Sequence, residues 1–220
     1  MWNSGEFSKN VADGSFKGIY PGCYIKKAKT IDGVTYTDCS DVIVSLDPYY
    51  NKLSGDARIT THHVGIIPWG IIGKSCMNTT DTTTGGYYSS YMRNTTLPKY
   101  LTGYKNAYGS DHFLTFKQRI SSSINASSGS VNGVVWVATQ ITLLTEAQIF
   151  GCNIFSSGYD IGEGYSQLAL FKLTNNINRY DFWLRGVSEL KYFSMFNSAD
   201  FPSESLASNN FYVRPLLLLY

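Results

Sequence analysis

The residues with which this chain could do chemistry are few: three histidines, four cysteines and a scatter of serines and carboxylates. His62 and His63 are adjacent. Neighbours in an extended strand point to opposite faces, so the pair does not readily chelate one ion. His112, with Asp111 or Asp47, could join one of them. A metal site takes three or four convergent ligands, and the spacing shows no convergence. The reading is single packed or half-exposed histidines, with no metal and no cofactor. Cys23, Cys39, Cys76 and Cys152 follow one another at 16, 37 and 76 residues, which matches no zinc pattern. Cys23 and Cys39 could lie one hairpin apart, yet free thiols are the expectation in a reducing compartment.

No Gly-x-Ser-x-Gly elbow, phosphate loop or dinucleotide fingerprint is present. Gly162-Glu163-Gly164 begins like a dinucleotide loop but lacks its last glycine and the strand before it. A Ser/His/Asp set can be composed on paper from any chain this rich in serine, so it carries no information. Paired carboxylates for glycoside chemistry cannot be located. The chain therefore reads as non-catalytic.

Composition points elsewhere. Of 220 residues, 43% are hydrophobic and only 15% charged, with 17 tyrosines and 20 glycines. Such a chain can bury a sizeable core. Tyr, Ser, Gly and Asn are also the residues of loop-rich recognition surfaces, where tyrosine gives a large, stiff contact at low entropic cost. A net charge of +2, densest at Lys26-Lys27 and Lys29, is too small for a nucleic-acid footprint. No apolar run approaches the ~20 residues of a membrane span. Residues 1–6 lack the basic-then-apolar pattern of a signal peptide. The expectation is a soluble product of a cytoplasm, delivered outside only by assembly into a particle.

The elements that must position any site are short. Cys23 to Ile31, then Asp32-Gly33, then Val34 to Thr37 predict a hairpin, because Asp-Gly suits two central positions of positive φ. Asp41 to Leu46 predicts a buried strand. Thr79 to Gly86 is a polar loop. Asn94 to Gly109 predicts the main helix: Thr95 or Thr96 caps it, Pro98 fits its first turn, and Leu97, Leu101, Tyr104 and Tyr108 share one face. His112 to Arg119 reads as a strand and Ile120 to Gly133 as a long exposed loop. Gly133 to Thr142 has strand composition. Thr145 and Gln148 form a capping-box pattern that predicts a short helix to Gly151. A second short helix is expected over Gly164 to Leu173. Helices and strands alternate without βαβ rhythm, so the fold class expected is α+β with a mostly antiparallel sheet.

Phe182-Trp183-Leu184-Arg185 alternates as a strand with one buried face. Leu216 to Leu219 reads as a central strand buried on both faces. Arg185 and Arg214 can each fork hydrogen bonds to carbonyls or carboxylates that pin loops.

Together with Asp160 to Leu173 and Tyr212-Val213-Arg214-Pro215, these segments carry a resemblance. The chain resembles the C-type-lectin-like, sulfatase-modifying-factor-like domains common in phages and bacteria of the gut. The upstream segments Gly85 to Arg93, Leu97-Pro98 and Leu144 to Gly151 are similar as well. The resemblance covers roughly residues 60 to 220. It implies a lectin-like domain over 61–220 behind a β-rich docking segment at 1–60. It implies a virion protein, made in a bacterial host's cytoplasm: a head fibre, capsid decoration or tail adhesin. Its partners would be other virion proteins, copies of itself, and a host-surface glycan or protein, with no nucleic acid and no membrane insertion. A capsid or neck building block without a host ligand is the alternative, and a modifying-factor-type enzyme a further one.

The arrangement also resembles phage proteins that carry variable residues near the C-terminus of a lectin fold. That likeness implies a contact face drawn from Ser188, Glu189, Lys191, Tyr192, Met195, Asn197, Asp200, Phe201, Ser203, Glu204, Asn209 and Phe211. Trp183, Arg185, Arg214 and Pro215 would be its scaffold. Tyr212 stands where relatives have a turn glycine. The calcium motifs of sugar-binding lectins and the C-terminal cysteine pair of the modifying enzymes are absent, so neither activity is implied.

Overall fold

The computed structural model describes residues 5–156, 166–173 and 180–220. A short helix, α1 (Glu6–Ala12), comes first. It is followed by β1 (Tyr24–Lys26), β2 (Lys29–Ile31), β3 (Val34–Tyr36), β4 (Ser40–Leu46), β5 (Val64–Pro68) and β6 (Lys74–Ser75). The main helix α2 (Leu97–Tyr108) precedes β7 (Phe116–Ile124), β8 (Val131–Thr139), β9 (Ile141–Leu143), α3 (Glu146–Phe150) and α4 (Ala169–Leu173). The C-terminal strands are β10 (Phe182–Val187), β11 (Tyr192–Phe196), β12 (Pro202–Leu206), β13 (Phe211–Tyr212) and β14 (Pro215–Leu219). They form two five-stranded sheets, ordered β1-β4-β5-β14-β9 and β12-β11-β10-β13-β6, and two hairpins, β2-β3 and β7-β8. Among the strands of the described residues only β10 and β13 pair in parallel; Tyr50 and Ile59 add one isolated parallel bridge. This mixed, mostly antiparallel arrangement is compatible with the α+β class expected.

Strand period sorts the side chains into two cores. Leu217 and Leu219 of β14 join the first, with Trp183, Phe193, Met195 and the tyrosines of α2. Leu216 and Leu218 join the second, with Phe182, Leu184, Phe196 and the residues of α3 and α4. β14 is thus buried on both faces between β5 and β9, as its apolar run requires. β10 is buried along its whole length, not on one face, because each sheet face carries a core.

The Asp-Gly turn forms as the residues dictate, Asp32 (φ 49) and Gly33 (φ 80) both taking positive φ between β2 and β3, but the first strand expected over Cys23 to Ile31 is split, and Tyr24–Lys26 pairs with β4 instead. α2 packs on that hairpin so closely that a Cβ on Gly103 would lie 2.5 Å from the Thr30 carbonyl oxygen. Its start differs from expectation. No threonine side chain caps it; one wide turn over Met92–Thr96 runs into it instead. The capping box of α3 is complete, with Thr145 Oγ1 accepting from the Gln148 amide and Gln148 Oε1 from the Thr145 amide.

Two expectations are corrected, and the sheet order bears on a third. Ile120 to Gly133 is not a long loop. β7 continues to Ile124 and pairs with β8 from Val131, and the turn between them is short. The serines of Ser121-Ser122-Ser123 are weak strand formers, but the Val-rich β8 opposite them supplies the pairing. The strand expected from His112 starts at Phe116, after a tight turn over Ser110–His112. The boundary at residue 60 is no boundary in the sheet. β4 pairs with β5 across it, and both lie with β14 in one sheet. Of the helix expected over Gly164 to Leu173, α4 supplies Ala169–Leu173; Gly164 and Tyr165 lie outside the described residues.

Candidate binding site at the C-terminal loops

The histidine pair is tied into the fold through Asp47 and main-chain groups. Asp47 Oδ2 lies 2.6 Å from His62 Nδ1, and Asp47 Oδ1 accepts the His63 amide at 2.9 Å. His63 Nε2 accepts the Tyr49 amide (3.3 Å) and Nδ1 lies 2.8 Å from the Thr61 carbonyl. These partners fit one neutral tautomer, and burial pushes the ring's pKa down. Among the described residues no three His, Cys, Asp or Glu side chains gather as a metal site, and the four cysteines are free thiols. Gly162 to Gly164 lies outside the described residues.

The scaffold arginines hold carbonyls. Arg185 is fully buried and donates to Gln118 Oε1 (2.6 Å) and to the Arg119 carbonyl (3.2 Å). Arg214 donates to the carbonyls of Pro68 (2.9 Å) and Trp69 (3.3 Å) and stacks on Trp69 and Phe182. Trp183 donates its indole N–H to the Ser75 carbonyl. Pro215 begins β14, where it pairs with Leu143 of β9.

The twelve face residues do not form one face. Met195 is buried in the first core. Phe211 lies in β13, across β10 from the others, with its ring edge-on to Trp183. Ser203 stands opposite Met195, and Glu204 opposite Ser194; being neighbours in β12, they project to opposite sides. Tyr192, half-buried, pairs with Leu206. The rest divide between the two ends of β11. Asn197, Asp200 and exposed Phe201 form the turn to β12, where a cleft of about 210 Å³ involves Phe150, Phe171, Phe196 and Asp200. Ser188, Glu189 and Lys191 form the turn from β10, and Asn209 follows the far end of β12.

That second end is built from four loops. Thr83 is the fastener: its hydroxyl donates to the Glu189 (3.0 Å) or Leu190 (2.8 Å) carbonyl, and its amide donates to Leu190 (3.1 Å). Asp81 Oδ1 accepts the Ser208 amide at 3.1 Å, and hydrogen bonding from the Ser208 side chain, then from that amide, holds the Asp81 pKa below the usual carboxylate range. The Asn78 amide donates to Ala207, and the Ala207 amide to Lys191. From the β7-β8 turn, Gly129 (φ +71) comes so close that a Cβ would lie 2.6 Å from the Leu190 nitrogen. Only glycine tolerates both that φ and that approach. The Thr83 and main-chain bonds each add roughly 0.5–1.5 kcal/mol, so the backbones form one platform. The side chains it leaves exposed include Thr79, Thr80, Asp81, Ser127, Ser128, Glu189, Leu190, Lys191 and Asn209.

Sequence reasoning found the 188–191 turn and the polar 79–86 loop separately. It did not join them, because Thr83 lies 106 residues from Glu189 and the partners that the Thr83 and Asp81 side chains find are main-chain atoms, which any residue supplies. It missed the β7-β8 turn altogether. Comparisons with protein-family models, with curated proteins and with solved structures return no match for this chain.

Proposed function

We propose that this chain is a non-catalytic recognition protein of a phage virion surface, with a C-type-lectin-like fold. In this reading it contacts a component of the host surface through the four-loop end. One observation carries the reading. Loops from distant parts of the chain are tied to one another through main-chain groups and the Thr83 and Asp81 side chains, while small polar side chains, one exposed leucine, two carboxylates and one lysine face outward. Recognition loops on a rigid scaffold have this build, since prior ordering lowers the entropy lost on binding. The residue resemblance at Trp183 to Arg185 and Val213 to Pro215 supports the lectin-like class, as does a buried C-terminal strand within an antiparallel sheet.

The test is attachment of purified protein to cells of the host bacterium. Leu190→Ser combined with Lys191→Ser removes exposed side chains and leaves the Thr83 bonds to main-chain carbonyls in place. Attachment is expected to fall at least about tenfold, the loss of ~1.4 kcal/mol, with an unchanged melting temperature. Full attachment by the folded variant would overturn the assignment of this end.

A further inference from the structure

The outer face of the β7-β8 hairpin carries a second constellation. Phe116, Gln118 and Ile120 of β7 are buried, so Lys117 and Arg119 project the other way. In register, Arg119 stands directly opposite Trp136 and Lys117 opposite Ala138. Trp136 is 44% exposed. A large aromatic left open in mid-strand beside an arginine is a common anchor of binding surfaces.

The segment 50–59 forms the opposing wall. Tyr50 bridges to Ile59, the Asn51 amide donates to the Ile59 carbonyl at 2.8 Å, and Arg58 Nε donates to Asn51 Oδ1 at 2.8 Å. Asp56, on the tight turn Gly55–Ala57, makes an ion pair with Lys117 across the gap. Between the walls lies an open cleft of about 480 Å³, lined by Leu53, Ser54, Asp56, Lys117, Arg119 and Trp136. Among the described residues, neither the Arg119 guanidinium nor the Trp136 indole N–H has a hydrogen-bond or ion-pair partner.

We propose that this cleft binds a carboxylated saccharide, with the sugar ring against Trp136 and its carboxylate on Arg119. The volume lies within the range of small-ligand sites, but the lining is polar around a single exposed ring. A ligand that fits has one flat apolar face and many hydroxyls at its rim, which describes a pyranose. Lys117 is matched by Asp56, so Arg119 leaves one uncompensated positive charge, and its planar fork suits a carboxylate. The proposal does not depend on the four-loop end.

The experiment is calorimetric titration of the purified protein with a hyaluronan tetrasaccharide and with tetragalacturonate, both acidic, and with neutral chitotetraose. At least one acidic sugar is expected to bind about tenfold or more tighter than the neutral one, and less tightly at high salt. Trp136→Ala is expected to weaken binding of that acidic sugar at least about tenfold, as loss of an anchor residue does. Arg119→Gln is expected to abolish the preference for the acidic sugar. Both side chains face the cleft, so the melting temperature stays unchanged, and Arg119 keeps its main-chain bond to Arg185. The Leu190→Ser, Lys191→Ser variant keeps full sugar binding, which separates this site from the loop end. Absence of binding to either acidic sugar, equal affinity for acidic and neutral sugars, or indifference to Trp136→Ala would each overturn the proposal.

Discussion

Replacing Asp41 by leucine tests how the N-terminal quarter of the chain is built into the domain. Asp41 lies on β4 with no exposed surface. Its carboxylate accepts from Lys29 Nζ at 2.8 Å, from the Tyr104 hydroxyl at 2.8 Å and from the Tyr108 hydroxyl. Lys29 is buried too, its ammonium near the rings of both tyrosines and bonded to the carbonyls of Lys27 (3.0 Å) and Cys39 (3.3 Å). The cluster therefore joins the β2-β3 hairpin, the first sheet and α2. Asp41→Leu leaves a buried ammonium with carbonyl partners but no counter-charge, a loss of about 3–5 kcal/mol. In a chain of this length that lowers the melting temperature by about 2–4 °C per kcal/mol, hence by roughly 6–20 °C. Adding Lys29→Met removes the stranded charge and should recover half or more of the loss. Thermal and urea unfolding of both variants measure it. A single substitution costing under about 1 kcal/mol, or a double variant no better than the single, would refute the reasoning.

Alkali should unfold the protein steeply. Burial raises the hydroxyl pKa of Tyr87, Tyr100, Tyr104 and Tyr108, and the Asp41 charge adds to the last two. These groups stay protonated in the fold and ionise near pH 10 once unfolded. Their stability is thus complete below about pH 10 and lost above it, at up to ~5 kcal/mol per pH unit for four groups; a urea midpoint flat from pH 9 to 11 would contradict this. A chain starting at residue 61 should fail to fold, because it lacks β4, the partner of β5, with Val42, Ile43 and Val44 from both cores; a cooperative unfolding transition for that fragment would restore an independent lectin-like unit. Gly129→Ala should abolish attachment through the four-loop end while lowering stability by only about 1–3 kcal/mol, the range for overpacking; full attachment would show that the Gly129 approach to Leu190 does not shape the surface.

Local rules made much of the fold legible. Asp32-Gly33, the Thr145 and Gln148 capping box, the apolar face of α2 and the Leu216 to Leu219 strand each express a short-range preference that agrees with its surroundings. The roles expected of Arg185 and Arg214 were legible because a buried guanidinium needs acceptors, and carbonyls are the nearest supply. Ser121 to Ser123 misled, since strand preference there comes from β8 and not from the serines. The contact face misled for another reason. Consecutive residues in a strand diverge to opposite sides, so a stretch from Ser188 to Phe211 cannot be one surface once β11 and β12 form within it. The loop end is tied by Thr83 and Asp81 to main-chain atoms of distant loops, and the Trp136 cleft needs Arg119 opposite it in register. Neither relation is written in residue types.

Hydrogen exchange on host envelopes is the most direct test of the recognition reading. Amides are followed in the free protein and with envelope fragments of the host bacterium bound. The account predicts protection concentrated in residues 79–84, 125–130, 188–191 and 207–210, with β14 unchanged. No protection at all, or protection confined to the 197–201 turn, would contradict it.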